Sequence, residues 1–526
     1  MNNATPAKVP SRNSARLKLD TRHRRYTKWL ERADDGACLT MIWAVRALQS
    51  GNETAAGRFI EYPKEAATEG ILGEYAVYPW ELETYVTSLL TTRKDRARQG
   101  RHHVSNCTNF ASVTLLTNAL RDMEGAEYVL RSRPEDIMEE MYRIGQRQFS
   151  WQRGPNTEEL YRFAFVYGQG ACAEFFEQKY GLSVSDFQQL SLALFGVLRG
   201  KPWTETPDPK VLGLSKEQMG RALALLSTSL ADAREMAVRL NTEAAQRLQR
   251  PLRIAYMPSL LRRTPIIRVD RGRPAFIAPL PDLVMTRATA GLYYDIRQGP
   301  NDLLTEANAR FEDYIRSLVM AYLTELQSLK GAAYGPKGRQ IDPPDCLVKD
   351  GDQVVLAIEC KTTKLTFEAQ FAENPEVVAA QGFEQIAKGI FQLWRFFSHA
   401  RRNLYIDEAV SPDAQGVVLT MDGWMQMAKG LRDNALARAR ELASVDPDIT
   451  DADMRRVVFA SVQELHGTLA QTGKQDFLAV LGHATTDRYD GYGLPEVARD
   501  CGVPLLRKSY PMDVAALLPW WDELKR

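Results

Sequence analysis

The chain has 526 residues, 44% of them hydrophobic and 25% charged, with a formal net charge of +1; this describes an ordinary globular protein that is too long for one core and is expected to form about two to four domains. A near-neutral balance argues against binding to polyanions through a global excess of Lys and Arg, so any nucleic-acid surface has to be local. The six cysteines are scattered, without a C-x-x-C pair, which argues against a zinc ribbon and a secreted disulfide framework; with no membrane-length apolar stretch and no signal-peptide core, the expected location is cytoplasmic.

In residues 1–29, Lys8, Arg12, Arg16, Lys18, Arg22, Arg24, Arg25 and Lys28 stand against Asp20 alone. Such a segment has little apolar surface to bury and is expected to be a flexible arm, serving as a solubilising tail or as a contact to phosphates. Residues 30–250 show apolar residues at three- and four-residue spacing, as in CLTMIWAVRAL and NFASVTLLTNALRDM. This predicts an all-helical domain, with sensing, targeting or partner binding as its role. Within it, Arg93, Lys94, Arg96, Arg98, Arg101, His102 and His103 form a basic run, either a phosphate-contacting loop or a solvated one. His102, His103 and Cys107 lack a fourth ligand at zinc spacing. The prolines of residues 200–209 break the helical pattern, and a long helix, SKEQMGRALALLSTSLADAREMAVRLNTEAAQRLQ, is expected from Ser215 to about Gln249. Residues 251–300 read as a connecting module whose TPIIRVDRGRPAFIAPL is a hairpin.

From residue 301 the pattern changes to alternating helices and strands. ARFEDYIRSLVMAYL places Phe311, Ile315, Leu318 and Tyr322 on one helix face, with Glu312 at its margin. The stretch IDPPDCLVKDGDQVVLAIECKTTK follows. In its strand VVLAIECK, the two-residue period puts Ala357, Glu359 and Lys361 on one face and Leu356, Ile358 and Cys360 on the other. Asp350-Gly351-Asp352 is turn chemistry that folds the chain back as a hairpin, bringing Asp345 near Glu359. Two converging carboxylates call for a divalent cation, and oxygen donors suit Mg2+ or Mn2+. Lys361 adds a positive charge on the same face, placed to orient a water or to offset charge building up on a phosphate.

Beyond this stretch, QGFEQIAKGIFQLWRFF is an amphipathic helix with Gln385, Lys388 and Gln392 on one face. GVVLTMD reads as a buried strand, 423–465 as helices, DFLAVLGHA as a strand, PEVARD as a short helix and VPLLRKS as strand-like. His483 and Asp487 come without a Gly-x-Ser-x-Gly elbow, and no phosphate-binding Gly-x-x-x-x-Gly-Lys-Ser/Thr loop is present.

Pro344-Asp345 followed by Glu359-Cys360-Lys361 resembles the signature of the PD-(D/E)XK nuclease superfamily, and the resemblance runs from about Asn301 onward. It implies a restriction-endonuclease-like α/β domain over 301–526, with a central mixed sheet flanked by helices and preceded by the α-helical N-terminal region. It also implies that Glu312 joins the site, that Gln385 or Gln392 reaches it, and that the Cys360 backbone carbonyl adds a metal ligand. The function expected on this resemblance is Mg2+- or Mn2+-dependent hydrolysis of phosphodiesters, in DNA rather than RNA, with anti-phage defence as an analogy. The alternatives are a catalytically inactive nucleic-acid-binding or assembly protein and an RNA-directed nuclease. A protein partner or a second copy bound through the helical N-terminal region is a further expectation.

Overall fold

A computed structural model describes residues 11–67, 73–95, 104–131, 137–270, 272–362, 364, 380–423 and 429–525. Lys8 and most of the 93–103 basic run, including His102 and His103, fall outside these residues. The chain forms two compact units. The first comprises Met1–Ile137, Ser150–Asn156 and Phe176–Asp295, and the second Met138–Phe149, Thr157–Phe175 and Ile296–Arg526. These units do not follow the sequence boundaries at 250 and 300, because two segments of the first half belong with the second. The reason is aromatic packing: on the helix Thr157–Tyr167, Tyr161 and Phe165 set their rings against Tyr314.

In the first unit, helices Arg12–Arg32, Asp35–Leu48, Pro79–Thr91 and Phe110–Arg131 share a core that includes Trp43, Tyr85, Phe110 and Leu116. Local chemistry sets the helix starts, as where Asp34 accepts a hydrogen bond from the Ala37 N–H at 2.8 Å. From Arg12 the expected flexible arm is in fact helical. Ser11 caps the helix, and Ala15, Tyr26 and Leu30 bury one stripe of it. That stripe was hidden among the charges, since only a few apolar residues mark it.

Nor is the region all-helical. β1 (Trp203–Thr204), β2 (Ser227–Ser229), β3 (Ile266–Asp270) and β4 (Pro274–Ile277) form a sheet in the order β1-β4-β3-β2. The expected β3–β4 hairpin is present and antiparallel. The expected long helix to Gln249 is cut in two by β2, which pairs parallel with β3. Ser227-Thr228-Ser229 supplies the break: short hydroxyl side chains compete for the helix backbone, and Ser229 instead caps the helix Leu230–Arg247.

The second unit is built on a mixed sheet of β5 (Gln327–Leu329), β6 (Cys346–Asp350), β7 (Gln353–Lys361), β8 (Ala409–Thr420) and β9 (Val457–Ser461), in that spatial order. β5, β6 and β7 are antiparallel neighbours, while β7, β8 and β9 run parallel. Helices flank the sheet. Ile386, Ile390 and Leu393 of Ala380–Arg401 pack with Leu347, Ala357 and Val418, and the helix Asn301–Tyr322 packs on β5, β6 and β7.

Three expected elements in this unit differ. β9 falls inside the stretch read as helices, because the helix Lys429–Ala443 stops and the β-branched pair Val457-Val458 completes the sheet. DFLAVLGHA is part of a helix, Lys474–Ala484, whose buried Phe477, Val480 and Leu481 recur at three and four residues. VPLLRKS forms no strand; the Leu506 and Lys508 N–H groups donate to Gln471 and Ala470 carbonyls at the end of the helix Val462–Gln471. Among the described residues no helix is long and apolar enough to cross a membrane.

The first unit contains a buried ion pair that tests its packing. Arg287 donates to both Asp295 oxygens at 2.7 and 3.0 Å, and the Tyr180 hydroxyl donates to Asp295 at 2.8 Å. Asp295→Ala leaves the guanidinium buried and uncompensated, and is expected to cost about 3–5 kcal/mol in chemical denaturation. A loss below about 1 kcal/mol, the range of exposed pairs, would mean that the pair is not buried in solution.

Candidate active site

The antiparallel register of β6 and β7 places Cys346 opposite Ile358. Asp345, one step before Cys346, therefore comes level with Glu359, one step after Ile358. The turn contains Gly351 at φ +60°, a conformation glycine adopts without steric cost, and a bulge between Val348 and Lys349 then shifts the pairing by one residue, so that Asp345 comes level with Glu359 instead of Ile358. The Cys360 backbone N–H donates to Asp345 Oδ2 at 2.7 Å and fixes one carboxylate at the end of β7.

The second carboxylate is Glu359, only 1% exposed. Lys361 Nζ donates to its Oε1 at 2.6 Å, as the two-residue period of the strand requires. Its other oxygen, Oε2, is buried and has no hydrogen-bond partner among the described residues. Lys361 also lies 3.4 Å from Gln392 Oε1. The helix approaches this closely because residue 389 is glycine. A Cβ there would stand 2.9 Å from Lys361 Cε and 3.2 Å from Glu359 Cγ.

Glu312, half-buried on the helix Asn301–Tyr322, feels the charge of Asp345. The sequence-predicted Glu312, Asp345, Glu359 and Lys361 are thus brought together, and Gln392 is the glutamine that reaches Lys361. Gln385 is half-buried on the same helix and makes no hydrogen bond to the cluster among the described residues. Cys360 contributes its N–H to Asp345, while its thiol is buried.

Two participants escaped the sequence reading. Arg316, 7% exposed, donates to the Asp345 backbone carbonyl and to the Asp313 carboxylate. Its signal was present, since it lies four residues after Glu312 and so on the same helix face. Lys330, just after β5, acts on Glu312 and Asp345 through its charge; it has no spacing signal.

Burial dominates the electrostatics. It raises Glu359 from the usual 4.5 to about 7, with Lys361 opposing the shift and Asp345 adding to it. Glu312 is pushed to about 7 by burial and by Asp345. Asp345 is raised by burial against the pull of Lys361 and the Cys360 N–H. Burial works against the Lys361 ammonium, but the Glu359 carboxylate outweighs it and the group is raised. In this arrangement Lys361 is a fixed cation rather than a proton acceptor.

Among the described residues no three His, Cys, Asp or Glu side chains already stand as a metal-holding group. The donor chemistry nevertheless suits a hard divalent cation. Asp345 and Glu312 disfavour ionisation of Glu359, whose buried Oε2 has no hydrogen-bond partner among the described residues, and an added positive charge would relieve both conditions. Comparison of the chain with protein-family models, with curated proteins and with solved structures gives no match.

The raised Glu359 has a consequence for stability. Between about pH 4.5 and 7 the unfolded chain releases this proton while the folded chain keeps it. Stability therefore falls as pH rises through that window, by up to about 3 kcal/mol from this group. Glu359→Gln is expected to shrink the fall, leaving the parts due to Glu312, Asp345 and the buried Glu127 of the first unit. Denaturant unfolding at pH 4.5 and 7.5 reads the difference, and an unchanged pH dependence in the variant would show that Glu359 is not buried as described.

Proposed function

We propose that the second unit is a metal-dependent nuclease with a restriction-endonuclease-like fold, hydrolysing phosphodiester bonds in DNA. The observation that carries this reading is the unpartnered, buried Glu359 Oε2 beside Asp345 and Lys361. A buried carboxylate oxygen without a hydrogen-bond partner at a strand end is costly as structure alone and fits the chemistry of a cation ligand. The resemblance of Pro344-Asp345 and Glu359-Cys360-Lys361 to the superfamily signature supports it. So does their placement on an antiparallel hairpin that continues into parallel strands.

In this reading Asp345 and Glu359 hold Mg2+ or Mn2+, joined by Glu312 and the Cys360 carbonyl. When bound, the ion supplies Lewis-acid polarisation of the phosphate and makes an attacking water more acidic. The protein's own groups do the rest. Lys361, kept protonated by Glu359, offsets negative charge that builds on the phosphate. Gln392 holds the lysine from the helix side. Arg316 fixes the Asp345 backbone so that its carboxylate keeps its aim.

Plasmid cleavage in Mg2+ tests the chemistry. Asp345→Ala and Lys361→Ala are each expected to lower the rate at least about 100-fold, and cleavage equal to wild type would remove these residues from the reaction. A second reading, a non-catalytic nucleic-acid-binding or assembly protein, is favoured by the lack of a ready three-ligand group among the described residues. Calorimetric titration with Mn2+ separates the two: uptake that disappears in Asp345→Ala supports the enzyme, and no uptake by wild type supports the scaffold. An RNA substrate would use the same site, so a panel of DNA and RNA decides between them.

A further inference from the structure

The helix Arg12–Arg32 carries eight Lys and Arg residues against two acidic ones, in a chain whose net charge is +1. Lys18 and Arg22 are taken up by Asp122, each at 2.7 Å. Arg16, Arg24, Arg25 and Lys28 are exposed, and none has a carboxylate within 4 Å among the described residues. Arg24 and Lys28 are one turn apart, which spaces their charges about 6 Å along the helix axis.

We propose that this helix is a docking surface for the phosphate backbone of duplex DNA. Arg24, Arg25 and Lys28 lie within about 100° of the helix circumference and little more than one turn, with Arg16 about two turns before Arg24; a polyanion complements such a patch of cations better than a single small anion does. A membrane surface fits poorly. An interfacial helix must present an apolar face to the lipid, and here Ala15, Tyr26 and Leu30 are already buried in the unit's own core. The contacts are to phosphates, so they give affinity and salt dependence without sequence preference. The choice of DNA as partner rests on the nuclease reading; the binding itself does not require catalysis.

The test uses the full chain, with EDTA present so that cleavage plays no part. Affinity for a 30-base-pair duplex, a length of about 100 Å, is measured across a series of salt concentrations. Replacing Arg16, Arg24, Arg25 and Lys28 together by Gln is expected to weaken binding at least tenfold at moderate salt. The slope of log affinity against log salt should flatten by about 2 to 4, near 0.9 for each phosphate that is no longer neutralised. Arg24→Lys with Arg25→Lys keeps the charge and should keep the slope. Lys18→Gln with Arg22→Gln removes only cations paired with Asp122 and should change it little.

Unchanged affinity and slope in the four-residue variant overturn the proposal. So does an equal weakening in the Lys18 and Arg22 variant, and so does tighter binding to phosphatidylserine vesicles or to polyglutamate than to the duplex. Circular dichroism confirms that the Gln variant stays helical; if it does not, Arg24→Glu alone carries the same comparison. Plasmid cleavage is read separately. A helix that fails this test while Asp345→Ala abolishes cleavage leaves the nuclease standing, and the reverse result removes the nuclease alone.

Discussion

A carboxylate buried at the end of a sheet strand is the constraint to which the second unit answers. Glu359 is 1% exposed and has one oxygen bonded by Lys361 and one bonded by nothing among the described residues. A buried charge is tolerated only when it is matched: Glu359 has the Lys361 ammonium bonded to it, while Arg316 and Lys330 act on Asp345 and Glu312 through their charge. Burial outweighs this compensation and, with Asp345 adding to it, pushes Glu312 and Glu359 both up to about 7. The proton is the cation that satisfies these groups at low pH. A divalent ion could take its place at higher pH.

The surrounding elements can be understood as devices for keeping that cluster in one place. Antiparallel pairing of β6 with β7 brings Asp345 level with Glu359, and the Cys360 N–H removes one degree of freedom from its carboxylate. Arg316 reaches from the helix Asn301–Tyr322 to the Asp345 carbonyl, binding the backbone and leaving the carboxylate free. Gly389 lets the helix Ala380–Arg401 come close over Lys361. Each device supports orientation more than stability, as pre-organised sites require.

How much of this was legible in the sequence depended on the range of the interaction. The face shared by Glu359 and Lys361 follows from a period of two, and the reversal of the chain follows from Asp350-Gly351-Asp352; both are local and both are legible, whereas the bulge between Val348 and Lys349 that brings Asp345 level with Glu359 has no signal in the turn. Glu312 came from resemblance alone, and periodicity could not have raised it above an ordinary helix-margin glutamate. Arg316 shares a helix face with Glu312, four residues on, but Gly389 and Lys330 act across elements, and no spacing within one element reveals what another will press against it. A different limit applies to the helix Lys474–Ala484, where a short apolar run reads as a strand although Phe477, Val480 and Leu481 keep helical spacing, because so short a run does not separate the two periods. In Arg12–Arg32 the three buried residues are outnumbered by charge.

The two groups of cations in the protein differ in how they are compensated, and that difference says what each can do. Lys361 and Arg316 are buried and already bonded, so their charges are fixed in place and act on whatever enters beside them. Those at the exposed face of Arg12–Arg32 are free to exchange counterions, so their contribution is long-ranged and falls with salt. A buried, oriented charge discriminates between states of a reacting group at little reorganisation cost. An exposed patch discriminates hardly at all but raises the local concentration of a polyanion. A near-neutral chain can combine the two only by concentrating its basic residues, which is why an overall charge of +1 conceals a helix with eight basic residues and only two acidic ones.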